Sequence, residues 1–344
     1  MKDTSSQEEI SQQILNILHE RGKKALELAR KMVLEEKFES KEVQEALNYF
    51  ITEVWKNTTR PALLSLVCEA VGGDPDITTP IAISMNLIVG GITIHDDIID
   101  QSENKGGRPT VFGKFGKDVT LLVGDALMFK GFNVLYTAVE KGVPAEQIAI
   151  ISDIIKRTFF ELGDAVALEL QFRGRVDVTP EDYLCVVRKK AADFEACTRI
   201  GAIVGGGSKE EIEALGEYGR LLGMVGLLRD DMIDMFDPEE IIHSIKQEHL
   251  SLVILYALQN PELHYIISDL LKKTVTENDA EKLSTIVDQA GGFVLIDKCM
   301  QELAENAFNK IEKIMTNNKD LKLIMRGMLL PEWRSYLSPN ISDR

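Results

Sequence analysis

Two acidic clusters stand out as residues that could do chemistry. One reads HDDIID over residues 95–100 and contributes Asp96, Asp97 and Asp100. The other reads RDDMID over residues 229–234 and contributes Asp230, Asp231 and Asp234. Each is D-D-x-x-D at the C-terminal end of an apolar run. Residues three and four apart share a helix face, so each triplet converges on one side. Three carboxylates on one face repel one another, and they add to the negative end of the helix dipole. A hard divalent cation relieves both penalties, and Mg²⁺ takes carboxylate oxygens while keeping positions for substrate phosphates. The plainer alternative is a pair of solvated acidic patches. A helical di-iron site needs a Glu-x-x-His motif on each of two helices, and the five histidines do not supply two.

The rest of the chain limits the partner. It has 344 residues, 44% hydrophobic and 27% charged, with a formal net charge of −16. So acidic a surface argues against a nucleic-acid partner. It leaves room for a phosphorylated small molecule, because a bound metal reverses the local field. Cys68, Cys185, Cys197 and Cys299 form no CxxC or zinc spacing and read as free thiols in a reducing cytosol. The first ten residues, MKDTSSQEEI, lack the apolar core of a signal peptide. The longest apolar stretch, residues 81–94, is too short to span a bilayer and reads as a buried core helix. A cytoplasmic protein with no transmembrane segment is the expectation.

Helices must position the two clusters. Apolar residues recur three to four apart over 8–34, 41–55 and 61–71, and Gly72-Gly73-Asp74-Pro75 is a strong stop. The first aspartate helix runs from about Thr79-Pro80 to Asp100, and residues 101–110 read as a loop. Helices follow at about 117–139, 144–173, 180–204, 209–234, 247–258, 262–274, 278–291 and 292–316. With no linker and little strand patterning, residues 1–344 read as one all-α domain with a flexible tail over 1–8.

With its motifs in this order, the sequence resembles the trans-isoprenyl diphosphate synthases, or polyprenyl synthetases. The resemblance runs from about Arg60 to Leu258 through HDDIID, GRPTVFGKFG (107–116), LLVGDAL (121–127), RDDMID and SIKQEHLSLVILYAL (244–258). It implies an isoprenoid-synthase helical bundle around a central cavity, as a homodimer or alternatively a heterodimer. It implies that the six aspartates hold Mg²⁺, three ions with the diphosphate of an allylic prenyl substrate. Asp96, Asp100 and Asp230 would be the catalytic ligands, and Arg60, Lys105, Lys190 and Lys246 would bind diphosphate. Residues four and five before the first motif, Ile92 and Gly91, would limit chain length. With no aromatic residue there, a chain of C20 or longer is expected.

The chain departs from that pattern where isopentenyl diphosphate should bind. Asn57 stands at a lysine position, Val89 at a His or Gln, and Gly106 at the second of two arginines. Ala191 follows Lys190 where the resemblance gives Thr, Leu227 replaces Gln, and His249 replaces a later lysine. A hydrogen bond to a charged group contributes about 1.5–3 kcal/mol. Losing three such contacts, half discounted for non-additivity, costs on the order of 2–4 kcal/mol, roughly 30- to 1000-fold in affinity. The expectation is therefore a terpene synthase that ionises the allylic substrate without a second one. The alternatives are a prenyltransferase, with Lys56, Arg108 or Lys246 rebuilding the second site, or a partner subunit of a heteromeric synthase.

Overall fold

The computed structural model describes residues 2–274, 276–312 and 318–330, with side chains from residue 9 onward. Among them, fifteen α-helices are joined by short turns, and the sheet is a single hairpin of two-residue strands. In chain order the helices begin with α1 (Lys2–Leu34), α2 (Lys41–Tyr49), α3 (Thr59–Ala70), α4 (Thr79–Ile99) and α5 (Val111–Tyr136). Next come α6 (Ala145–Phe172), α7 (Pro180–Lys190), α8 (Ala192–Val204), α9 (Lys209–Asp234) and α10 (Pro238–Gln247). The last are α11 (Leu252–Leu258), α12 (His264–Lys273), α13 (Glu277–Gln289), α14 (Gly292–Glu312) and α15 (Lys319–Met328). The all-α expectation is met.

Several boundaries differ from the sequence reading for local reasons. Helical backbone begins at Lys2, inside the segment read as a tail. The helix expected over 180–204 breaks at Ala191, whose ψ of 5° leaves the helical range. A helix over Pro238–Gln247 stands where a loop was expected. Its signals are local: the Asp237 side chain accepts from the Glu239 N–H, Pro238 opens the first turn, and Glu239 and Glu240 follow. The last expected helix ends in part over residues 313–317, outside the described residues. The four cysteines are free thiols.

Where the sequence, lacking a linker, reads as one domain, the chain divides into two compact units. Unit 1 comprises residues 1–155, 196–216 and 311–344; unit 2 comprises residues 156–195 and 217–310.

In unit 1, α4 is buried on nearly every side, as its apolar composition demands. Its partner is α5, approached through glycines. A Cβ on Gly91 would stand 2.6 Å from the Gly124 carbonyl oxygen, and one on Gly131 would stand 2.6 Å from the Ile88 side chain. Phe50, Trp55, Leu87, Val89 and Leu127 fill the core beside them. Both α4 and α5 lie in segments long and apolar enough to cross a membrane; the α4 segment is mostly buried in the protein and the α5 segment mostly is not.

In unit 2, buried ion pairs join the helices. Arg220 on α9 donates to Glu161 on α6, to Glu195 on α8 and to the Arg188 carbonyl on α7. A Cβ on Gly223 would stand 2.9 Å from the Ala191 side chain. The alanine at that position therefore has a packing cause.

Candidate active site

The first aspartate cluster closes α4. Asp96 and Asp97 lie in its last turn and Asp100 is its C-cap. Gln101, at φ 58°, turns the chain out of the helix. The strands β1 (Asn104–Lys105) and β2 (Arg108–Pro109) then pair antiparallel, with Lys105 opposite Arg108. Gly106 and Gly107, at φ 57° and 73°, make the tight turn that needs two positive φ values. The hairpin brings Lys105 back to the helix end, with its Nζ 2.7 Å from Asp97 Oδ1. Burial pushes the Asp97 carboxyl up, and Lys105 offsets only part of that. Burial also works against the Lys105 charge, but Asp97, Asp96 and Asp100 more than offset it and hold its pKa above the ordinary lysine value.

Thr110 caps α5 by accepting from the Gly113 N–H, and its hydroxyl donates to the Ser102 carbonyl. A Cβ on Gly113 would stand 2.0 Å from the Glu103 carbonyl oxygen, so the GRPTVFG segment needs that glycine for close approach. His95 faces α5, with Nε2 3.3 Å from the Leu121 carbonyl oxygen and 3.6 Å from Asp125. It packs between helices.

Gly91 lies on that same α5-facing side. The room left by its missing Cβ is taken by Gly124 and Met128, so Gly91 does not widen a chain pocket. The glycine permits close helix contact at this position. Ile92 is partly buried against the core that includes Ile88 and Leu64.

Around Arg60, Asn57 has a structural duty. Its Oδ1 accepts from the Thr59 and Arg60 N–H groups at the start of α3, and its carbonyl accepts from Asn86. Arg108 donates to the Glu53 carbonyl at 2.7 Å. Glu53 lies three residues before Lys56 and seven before Arg60 in the sequence.

The second cluster closes α9 in unit 2. Asp230 is exposed; Asp231 and Asp234 are partly buried. Asp231 Oδ2 accepts from the Tyr183 hydroxyl at 2.8 Å and from the Leu252 N–H at 3.2 Å. Burial pushes its pKa up to about 6, against the pull of His249, Tyr183 and Leu252. Asp231 and Asp234 line a small pocket with Glu248, His249 and Ser251. Lys190 forms an ion pair with Glu169. Lys246 lines a different groove, of about 790 Å³, with His243, Thr276 and Glu277. Glu169 and Tyr183 escaped the sequence reading. The signal for Glu169 was a single carboxylate in the apolar run AVALEL.

Among the described residues, no three acidic, His or Cys side chains converge into a preformed ligand set. Mg²⁺ binds through one or two carboxylates and completes its shell with water and substrate phosphates. The hard oxygen donors fit, and the Lys105 ammonium shows that the first cluster accepts a cation.

The model of the family described as "Polyprenyl synthetase" matches residues 40–289. A short chain isoprenyl diphosphate synthase of Methanothermobacter thermautotrophicus is 33% identical over 234 residues, 66% of this chain and 66% of that protein. A geranylgeranyl diphosphate synthase of Methanosarcina mazei is 35% identical over 212 residues, 61% of this chain and 64% of that protein. The chain thus spans just under two thirds of the length of these relatives. In fold it is similar to a crystal structure of geranylgeranyl pyrophosphate synthetase from Pyrococcus horikoshii, at a TM-score of 0.81 and 24% identity, covering 92% of this chain and 98% of that one. These relatives carry diphosphate-synthase names, and none carries a terpene-synthase name. By the extent of the family match and the order of its two aspartate motifs, this chain belongs to the polyprenyl synthetase family.

Proposed function

We propose that this chain is a prenyltransferase that condenses isopentenyl diphosphate with an allylic prenyl diphosphate to give a longer linear prenyl diphosphate. The observation that carries this reading over terpene synthesis is the placement of Arg108. It donates to the carbonyl of Glu53, three residues before Lys56 and seven before Arg60 in the sequence. Arg108, with Lys56 and Arg60 further along the segment it anchors to, would supply cations for a metal-free diphosphate. They offset the basic positions lost at Asn57, Val89 and Gly106. The names of the relatives favour products near C20.

On this reading Asp96 and Asp100 at the end of α4, and Asp230 and Asp234 at the end of α9, would hold Mg²⁺, which would supply positive charge to stabilise a diphosphate leaving group. Asp97 holds Lys105 at the end of α4, and Lys105 directs its ammonium to the allylic diphosphate. Asp231, fixed by Tyr183 and Leu252, sets the end of α9 so that Asp230 and Asp234 are presented together. Lys190 contributes a further cation to the diphosphate. Lys246 lines the α10 groove and would be a further diphosphate contact.

The partner copy is another chain of the same kind. Leu122, Phe129 and Tyr136 recur seven apart on α5 and are 54%, 76% and 62% exposed, an apolar stripe that a second copy would cover. Sedimentation would show a dimer, and Phe129→Glu a monomer.

The test of function is product analysis with Mg²⁺ and an allylic diphosphate, with and without isopentenyl diphosphate. A lengthened diphosphate formed only with isopentenyl diphosphate is the expected outcome. A terpene formed without it would return the reading to terpene synthesis.

A further inference from the structure

Glu169 is a buried carboxylate shared by two cations. Lys190 Nζ lies 3.0 Å from Oε1 and 2.9 Å from Oε2. His249 Nε2 lies 2.9 Å from the same Oε1. The three side chains are 11%, 26% and 16% exposed for Glu169, Lys190 and His249. Tyr183 links them to the second aspartate motif. Its ring stands edge-on to the His249 ring, with centroids 5.3 Å apart, and its hydroxyl donates to Asp231.

Two cations held this close repel, and burial disfavours the charge on each. A carboxylate between them is the counter-ion that lets both stay charged. Burial and, more weakly, Lys190 work against the His249 charge, and Glu169 together with Asp231 more than offsets them. Burial would also raise Glu169, but Lys190 and His249 hold it below the ordinary glutamate range. Glu169, Lys190 and His249 sum to a single positive charge beside the Asp231 carboxylate, which also favours the charge on His249. The ligand chemistry that suits it is a polyanion such as a diphosphate.

We propose that Glu169 is a positioning residue, which holds Lys190 and His249 side by side so that they act as one paired cation toward a diphosphate. The proposal rests on the reading of the chain as a diphosphate-processing enzyme. It adds His249 as a contact and Glu169 as the group that sets it.

The test is calorimetric titration of the full chain with inorganic pyrophosphate and Mg²⁺ at pH 7, each variant first checked by circular dichroism. Glu169→Gln and His249→Gln each weaken binding about tenfold. His249→Lys, which restores a cation, stays within about threefold of wild type on the same scale. KM for the allylic substrate follows the pyrophosphate Kd in all three, while kcat changes less. A wild-type chain that does not bind pyrophosphate, or Gln variants that bind it as tightly as wild type, would overturn the proposal. If Glu169→Gln fails to fold, His249→Gln against His249→Lys decides alone, and equal binding by those two would overturn it. A wild-type chain that binds pyrophosphate but never lengthens a prenyl chain would remove the proposed function and leave this inference standing.

Discussion

The Lys105 ammonium stands 2.7 Å from the Asp97 carboxylate, carried there by a hairpin whose turn is Gly106-Gly107. A positive side chain thus neutralises part of an acidic helix end that would otherwise oppose its own dipole. In a metal-bound enzyme the same charges are shared with Mg²⁺. Lys105 and Mg²⁺ should therefore be partly interchangeable in stability. Lys105→Met is expected to lower Tm by roughly 2–4 °C without metal, since a half-exposed ion pair contributes about 1 kcal/mol. Added Mg²⁺ and pyrophosphate should raise Tm more in the variant than in wild type. Equal increments in a thermal-shift assay would contradict the arrangement.

Asp230 and Asp231 should separate in behaviour although they are neighbours. Asp230 is exposed, so Asp230→Asn should cut turnover by roughly a hundredfold or more with Tm unchanged. Asp231 accepts from Tyr183 and Leu252, so Asp231→Asn should lower both turnover and Tm. Steady-state kinetics beside thermal unfolding tells them apart. A lowered Tm in Asp230→Asn would place it in the structural role.

Gly91→Ala should cost stability and leave product length unchanged. The new Cβ meets the Gly124 carbonyl at 2.6 Å, and relieving such overpacking costs about 1–3 kcal/mol. Urea unfolding and chromatography of the products report the two effects. A shift in product length without a loss of stability would restore Gly91 to the chain pocket.

Stability should fall with rising pH through His249. Its folded pKa is raised above the ordinary value of about 6.5. The stabilisation it adds is complete below that value and is lost as pH climbs through the folded pKa. Asp231, at about 6, has mostly titrated by pH 7 and does not mask the effect. Urea midpoints from pH 7 to 9 should decline in wild type and decline less in His249→Gln. Identical slopes would show that His249 is not held charged by Glu169.

The position of the two aspartate motifs at the ends of α4 and α9 was legible because helical periodicity needs no tertiary knowledge. Gly91 was not, because a glycine that leaves room for a ligand and one that admits a neighbouring helix look the same in sequence. Only the partner, Gly124 on α5, distinguishes them. Asn57 and Ala191 read as lost function. The structure gives them local duties, the first as acceptor for the start of α3 and the second against Gly223. Glu169 was passed over because its meaning lies in Lys190 and His249, which are 21 and 80 residues away in sequence. Helix α10 was the avoidable miss, since Asp237, Pro238, Glu239 and Glu240 spell its N-terminus in the sequence itself.

The most direct test of the central claim is radiolabelled isopentenyl diphosphate supplied with Mg²⁺ and geranyl or farnesyl diphosphate to the purified chain. Label entering a longer prenyl diphosphate, and none entering when Asp96→Asn replaces wild type, is the result that chain elongation predicts. An allylic diphosphate consumed to a hydrocarbon or alcohol with no label incorporated would contradict it.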